Sequence, residues 1–198
     1  MLNQLIARCV VNALQPINGP VISRLAGLVR TLETDAFTKG VVSRFPIPVD
    51  AAEADCSVSG VAFPDLVPTE TERLIVYFED GGSVNNSGKW TSKLRLVGWG
   101  NSTLFEDTPP DVLVPMLIAR ISKLLRTVQG ADPVGSLRCE VTGSPAAGVN
   151  LFGNYTYSQT RSQYLFYPYV SFGLDLTLTF VLNDDCLDSL IGADAAIC

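Results

Sequence analysis

Acid–base chemistry in this chain would have to come from carboxylates, because the sequence has no histidine. That gap removes the Ser-His-Asp triad, the Cys-His pair and His-ligated zinc. It also removes the side chain best suited to proton transfer near neutral pH. Two adjacent acid pairs, Glu79/Asp80 and Glu106/Asp107, are the candidates for the two-carboxylate arrangement of glycoside hydrolysis. Both lie beside turn or loop residues, where neighbouring acids serve as solvated or capping groups. Ser87-Gly88-Lys89 carries the Gly-Lys of a phosphate loop. It lacks the upstream glycine spacing and leads into a strand, so its amides do not converge on an anion. Asp184 and Asp185 offer oxygens to calcium, but without the alternating ligands of an EF-hand. The five cysteines, Cys9, Cys56, Cys139, Cys186 and Cys198, contain no C-x-x-C spacing and are odd in number. Reduced, mostly buried thiols are the expectation. These residues assemble no catalytic constellation, cofactor motif or metal motif, and a non-enzyme is expected.

Of 198 residues, 47 % are hydrophobic and 17 % charged. This balance is the reverse of a disordered chain and supports a sizeable core. So low a charge fits large partner-facing areas and equally a monomer with a big core. The net charge of −6 argues against a protein that binds by neutralising phosphates. An acidic wall instead repels a phosphate backbone and lets it slide past. The first ten residues lack the basic region and clean apolar stretch of a signal peptide. No window approaches the roughly 18 uninterrupted apolar residues of a membrane span. A soluble protein without a membrane partner is expected.

The elements that must position these residues can be read from periodicity, and the 198 residues are read as one domain. In residues 1–34, apolar side chains at Leu2, Leu5, Ile6, Cys9, Val10, Ala13 and Leu14 have helical spacing. After Pro16, Gly19 and Pro20, a second stripe at Ile22, Leu25, Ala26, Leu28, Val29 and Leu32 predicts another helix. Residues 41–68, with Phe45-Pro-Ile-Pro-Val49, Pro64 and Pro68, read as an extended arm or insertion packed against another subunit. A core unit follows over 73–183. Arg73–Glu79 is a central strand, and Lys89–Trp99 returns as its hairpin partner across a polar tip at 80–89. Residues 110–128 form a helix, with Thr108 as N-cap, Pro109 and Pro110 in the first turn and a stripe of Leu113, Leu117, Ile121, Leu124 and Val128. On another face Arg120, Lys123 and Arg126 form a basic ridge. Residues 135–141 make a third strand. Between 150 and 169 the chain concentrates Tyr155, Tyr157, Tyr164, Phe166, Tyr167 and Tyr169, which suit a wet interface or cover the sheet. A last strand over 172–182 alternates cleanly, and 184–198 is an acidic extension. The order predicts an α+β fold, a mostly antiparallel sheet packed against helices.

The block from Arg73 to Asn183 resembles the tail-terminator and head-to-tail connector (neck) proteins of tailed bacteriophages. The carrying features are the hairpin Leu74–Phe78 with Leu94–Val97, the helix Val112–Val128 and the strand Leu137–Val141. They end in Tyr167-Pro168-Tyr169, which runs into the strand Phe172–Leu182. The resemblance implies a virion protein assembled in the bacterial cytoplasm. It implies a homo-oligomeric ring, hexamer or dodecamer, that docks on portal, adaptor or tail-tube proteins around a DNA channel. Closing such a ring takes two complementary patches per subunit. Arg120, Lys123 and Arg126 against Asp184, Asp185 and Asp188 are one candidate pair, with Tyr164, Tyr167 and Tyr169 as further interface residues. The alternative is a non-catalytic β-rich binding module that uses the 80–89 loop and the tyrosine-rich 155–169 segment.

Overall fold

The computed structural model describes residues 2–38, 41–49, 66–106, 108–131, 133–144, 151–160 and 162–183. In chain order these form helix α1 (Leu2–Leu14), strands β1 (Arg24–Thr38), β2 (Val41–Pro48), β3 (Leu74–Asn86) and β4 (Lys89–Asn101), helix α2 (Pro110–Leu125), strand β5 (Val134–Gly143), the one-turn helix α3 (Tyr157–Thr160) and strand β6 (Tyr169–Leu182). The strands make one sheet in the order β2-β1-β3-β4-β6-β5. Only β1 and β3 run parallel; the other neighbours are antiparallel. The protein is therefore α+β, as its periodicities predict.

Helices α1 and α2 lie on one face of the sheet. From α1, Ile6, Val10 and Leu14 are buried there, and from α2, Leu113, Leu117, Ile121 and Leu125. They meet Leu74, Val76 and Phe78 of β3, Leu94 and Leu96 of β4, and Phe172 to Phe180 at every second residue of β6. Period two in the strands and 3.6 in the helices bring these side chains to a common layer. A polar pin joins the start of α1 to the hairpin: Asn3 donates to Asp80 and accepts from Ser83, whose hydroxyl lies 2.6 Å from that of Ser92.

The opposite face carries a second, aromatic core. Ile75 and Tyr77 of β3, with Val97 and Trp99 of β4, are covered by Phe45, Leu66, Val67, Leu151, Phe152, Tyr155 and Tyr157. The Trp99 ring lies 4.5 Å from that of Phe152 and 4.9 Å from that of Tyr157, both at tilted or edge-on angles favoured by ring quadrupoles. Its indole N–H donates to the Tyr164 carbonyl at 3.0 Å.

Two readings of the sequence require correction. Residues 22–32 do not form a second helix; from Arg24 onward they belong to strand β1. A bulge in the pairing with β3 places Leu25 opposite Val76 and Leu28 opposite Phe78, on the helix-covered face, with Gly27 at φ 73° inside it. Ala26 and Val29 pack into the other core. An inserted residue thus gives a strand the three-residue spacing of a helix. The described parts of 41–68 are not an arm packed against another subunit either, but part of the chain's own core. Val41–Pro48 is strand β2 of the chain's own sheet, and Phe45, Ile47, Leu66 and Val67 are buried within the chain. Residues 50–65 and the acidic extension from Asp184 lie outside the described residues.

Candidate interaction surface

Helix α2 starts with Pro109 at its N-cap position rather than Thr108, and Asp111 lies in its first turn, favourable to the helix dipole. Its buried stripe is Leu113, Leu117, Ile121, Leu125 and Val128; Leu124 is only half-buried. The basic ridge is exposed as expected: Arg120, Lys123 and Arg126 all face solvent, and none of their side chains forms an ion pair among the described residues. The sequence reading missed what stands in line with them. Val112 and Met116 are 49 % and 38 % exposed. At spacings of four, four and three, Val112, Met116, Arg120 and Lys123 share one side of the helix. Two apolar side chains followed by two free cations form a stripe of mixed character, unlike a plain solvated face. The signal was present as a second i, i+4 series outside the buried one.

The tyrosines divide into two classes. Tyr155 and Tyr157 belong to the aromatic core. Tyr164 and Tyr169 are half-buried with rings 5.0 Å apart. Tyr167 is 75 % exposed and its neighbour Phe166 62 %. These two stand on the turn that enters β6, where the Tyr169 N–H donates to the Phe166 carbonyl at 2.9 Å. The Pro168 carbonyl accepts from both the backbone N–H and the hydroxyl of Ser102. A fixed turn therefore presents two exposed rings. The 80–89 tip is smaller than its sequence suggests: strand pairing runs to Asn86 opposite Lys89, leaving Ser87-Gly88 as a two-residue turn with φ of 54° and 84°. The 80–89 tip and Tyr167 lie at opposite ends of the sheet, because Lys89 pairs with Val181 and Asn101 with Tyr169. At about 3.3 Å per residue that separates them by roughly 40 Å.

The acid pairs do not converge. Glu79 and Asp80 are consecutive strand residues and point to opposite faces, Glu79 to Tyr155 and Asp80 to Asn3. Glu106 is exposed, and Asp107 lies outside the described residues, as do Asp184 and Asp185. Instead Glu79 stands in a row across three strands. It is opposite Arg95, which is opposite Asp175, and the Arg95 Nε donates to Asp175 Oδ1 at 2.8 Å. Burial raises the Glu79 carboxyl above its ordinary range, while the Tyr155 hydrogen bond and Arg95 pull it back. This row borders a polar cavity of about 560 Å³ that also takes in Lys93, Thr142, Asn154 and Thr177. Of its charges, Arg95 is paired with Asp175, and Glu79 accepts from Tyr155. Cys9 is buried in the helix layer and Cys139 half-buried on β5, both free thiols. Among the described residues no group of His, Cys, Asp and Glu is placed to hold a metal ion.

Compared with known proteins, the chain matches no family model and no curated protein sequence.

Proposed function

We propose that this protein is a structural subunit that assembles into a hexameric or dodecameric ring at the neck, or at the head-proximal tail end, of a tailed bacteriophage. Such a ring docks on portal, adaptor or tail-tube proteins, and DNA passes through its lumen without sequence-specific contacts. The observation that carries the assembly half of this reading is the α2 stripe Val112-Met116-Arg120-Lys123, which is exposed, half apolar and half cationic. A ring closes through heterologous contacts, which need two dissimilar patches on each subunit. The Phe166–Tyr167 turn supplies a patch of the second kind, and the acids at Asp184 and Asp185 supply charge of the opposite sign. The phage assignment rests on the order of hairpin, helix, strand and aromatic turn within 73–183. The net charge of −6 suits a channel past which a polyanion slides.

Light scattering on size-exclusion fractions, with negative-stain microscopy, tests this on the chain alone and mixed with the products of neighbouring genes. Rings of one stoichiometry are expected, and Arg120→Glu with Lys123→Glu should abolish them while leaving the circular dichroism unchanged. A chain that stays monomeric under every one of these conditions removes the reading. Rings indifferent to the double reversal and to Tyr167→Ala remove the assigned patches.

A further inference from the structure

The sheet ends in two edges of opposite character. On β2, the Arg44 N–H donates to the Thr156 hydroxyl at 3.0 Å, and the Arg44 carbonyl accepts from the Thr156 N–H at 3.1 Å. Backbone groups alternate direction along a strand, so Pro46 and Pro48 face the same outer side as Arg44 and have no N–H to offer. That edge is closed to another strand. Strand β5, the other edge, contains no proline, and its outer side has no strand partner among the described residues. Bulges interrupt its pairing with β6 between Gly135 and Arg138 and again between Val141 and Gly143, which leaves Arg138–Val141 as the regular run.

With Leu137 just before it, that run is symmetric about Cys139: Leu137-Arg138-Cys139-Glu140-Val141. We propose that β5 is a self-complementary edge through which two copies of this chain pair antiparallel, centred on Cys139. In that register each Arg138 lies opposite the other copy's Glu140, each Leu137 opposite Val141, and Cys139 opposite its own mate. Moving the centre by one residue sets Arg138 against Arg138 or Glu140 against Glu140, and like charges directly opposite are unfavourable. Half-residue shifts oppose side chains of different faces, which the pleat forbids. Arg138 and Glu140 are exposed and already 2.6 Å apart on the polar face within one chain, so pairing joins four alternating charges.

The other face of the strand supplies the apolar part of the contact. Leu137, Cys139 and Val141, with Arg138 and Glu140 beside them, line a groove of about 700 Å³ whose other wall is Ser122, Leu125, Arg126 and Val128. Val141 is 39 % exposed there. A mate placed beside β5 adds a second floor of the same three residues and closes the groove's open side. This contact is isologous and ends at a dimer, so it stands apart from the ring reading, which needs heterologous contacts. Five residues span only about 16 Å of strand, so a weak dimer is expected, with Kd of about 10 μM to 1 mM.

Sedimentation equilibrium of the full chain tests the pairing. Arg138→Glu should weaken the dimer about tenfold or more, since each two-fold contact loses two attractions and gains two repulsions. Combining it with Glu140→Arg exchanges the charges and should restore the dimer to within about threefold. In a chain whose other four cysteines are alanine, diamide should join the copies through Cys139, taking up the two electrons and two protons that the thiols lose. Burial pushes the Cys139 thiol up to about 11, so this oxidation is run at alkaline pH. Opposite residues of paired strands sit about 4.5–5.5 Å apart at Cα, within disulfide range. A chain monomeric at millimolar concentration overturns the proposal, whether its edge then takes another protein's strand or none. A dimer that the charge exchange fails to rescue, or one that yields no Cys139 cross-link, overturns it as well.

Discussion

The Tyr155 hydroxyl donates to Glu79 Oε1 at 2.8 Å across 76 residues of sequence. This bond pins the segment that covers the aromatic core to the middle of the central strand β3. It also places a half-buried carboxyl where burial raises its proton affinity and the phenol opposes that rise. The net direction is upward, so the folded chain favours the protonated acid more than the unfolded chain does. Its contribution to stability is complete below the carboxyl's ordinary 4.5 and is lost as pH climbs through the higher folded value. Glu79→Gln keeps an acceptor for Tyr155 and removes the titration. Urea denaturation from about pH 4 to about pH 7 should show the variant gaining on the parent as pH rises. A constant difference between the two would contradict this assignment.

The phenols should titrate unequally. Tyr77 is wholly buried, its hydroxyl has no hydrogen-bond partner among the described residues, and burial holds its proton well above the ordinary phenol range. Tyr155 is raised by burial and by Glu79. The tyrosinate absorbance contributed by Tyr77 and Tyr155 should therefore appear only as the chain unfolds. Stability contributed by protonated Tyr77 and Tyr155 is present below the ordinary value of 10.0 and declines above it.

Two glycines of β4 mark close approaches of different kinds. A Cβ on Gly98 would meet the Phe172 ring at 2.3 Å, and one on Gly100 would meet the Arg73 carbonyl oxygen at 1.9 Å. A ring can turn or shift, whereas the Arg73 carbonyl leads directly into β3 and is held by the Asn101 N–H, so it cannot move freely. Gly98→Ala should cost about 1–3 kcal/mol, and Gly100→Ala more. Thermal denaturation of the two variants ranks them, and the reverse order would refute the backbone argument.

Trp99→Phe tests the second core. The change deletes the donor to the Tyr164 carbonyl and shrinks the ring that contacts Phe152, Tyr157 and Tyr164. A loss of about 2–4 kcal/mol is expected, combining an unsatisfied carbonyl with a cavity. Val112→Ala, on the exposed stripe of α2, should stay within about 0.5 kcal/mol. Chemical denaturation reads both.

Much of this fold follows from local pattern. Helix α1, the hairpin β3–β4, helix α2 and strand β6 appear where their periods place them, because one buried face per element writes itself directly into residue spacing. The exposed ridge Arg120, Lys123 and Arg126 was legible for the same reason. Strand β1 was not: it is covered on both faces and bulged at Gly27, so its apolar residues fall three apart and imitate a helix. Contacts remote in sequence were equally hidden. Nothing local pairs Glu79 with Tyr155, separates Glu79 from Asp80 by a pleat, or distinguishes the buried Tyr157 from the exposed Tyr167. Local spacing determined which residues share a face. Only the three-dimensional packing decided what covers that face, because burial depends on partners brought together from distant parts of the chain.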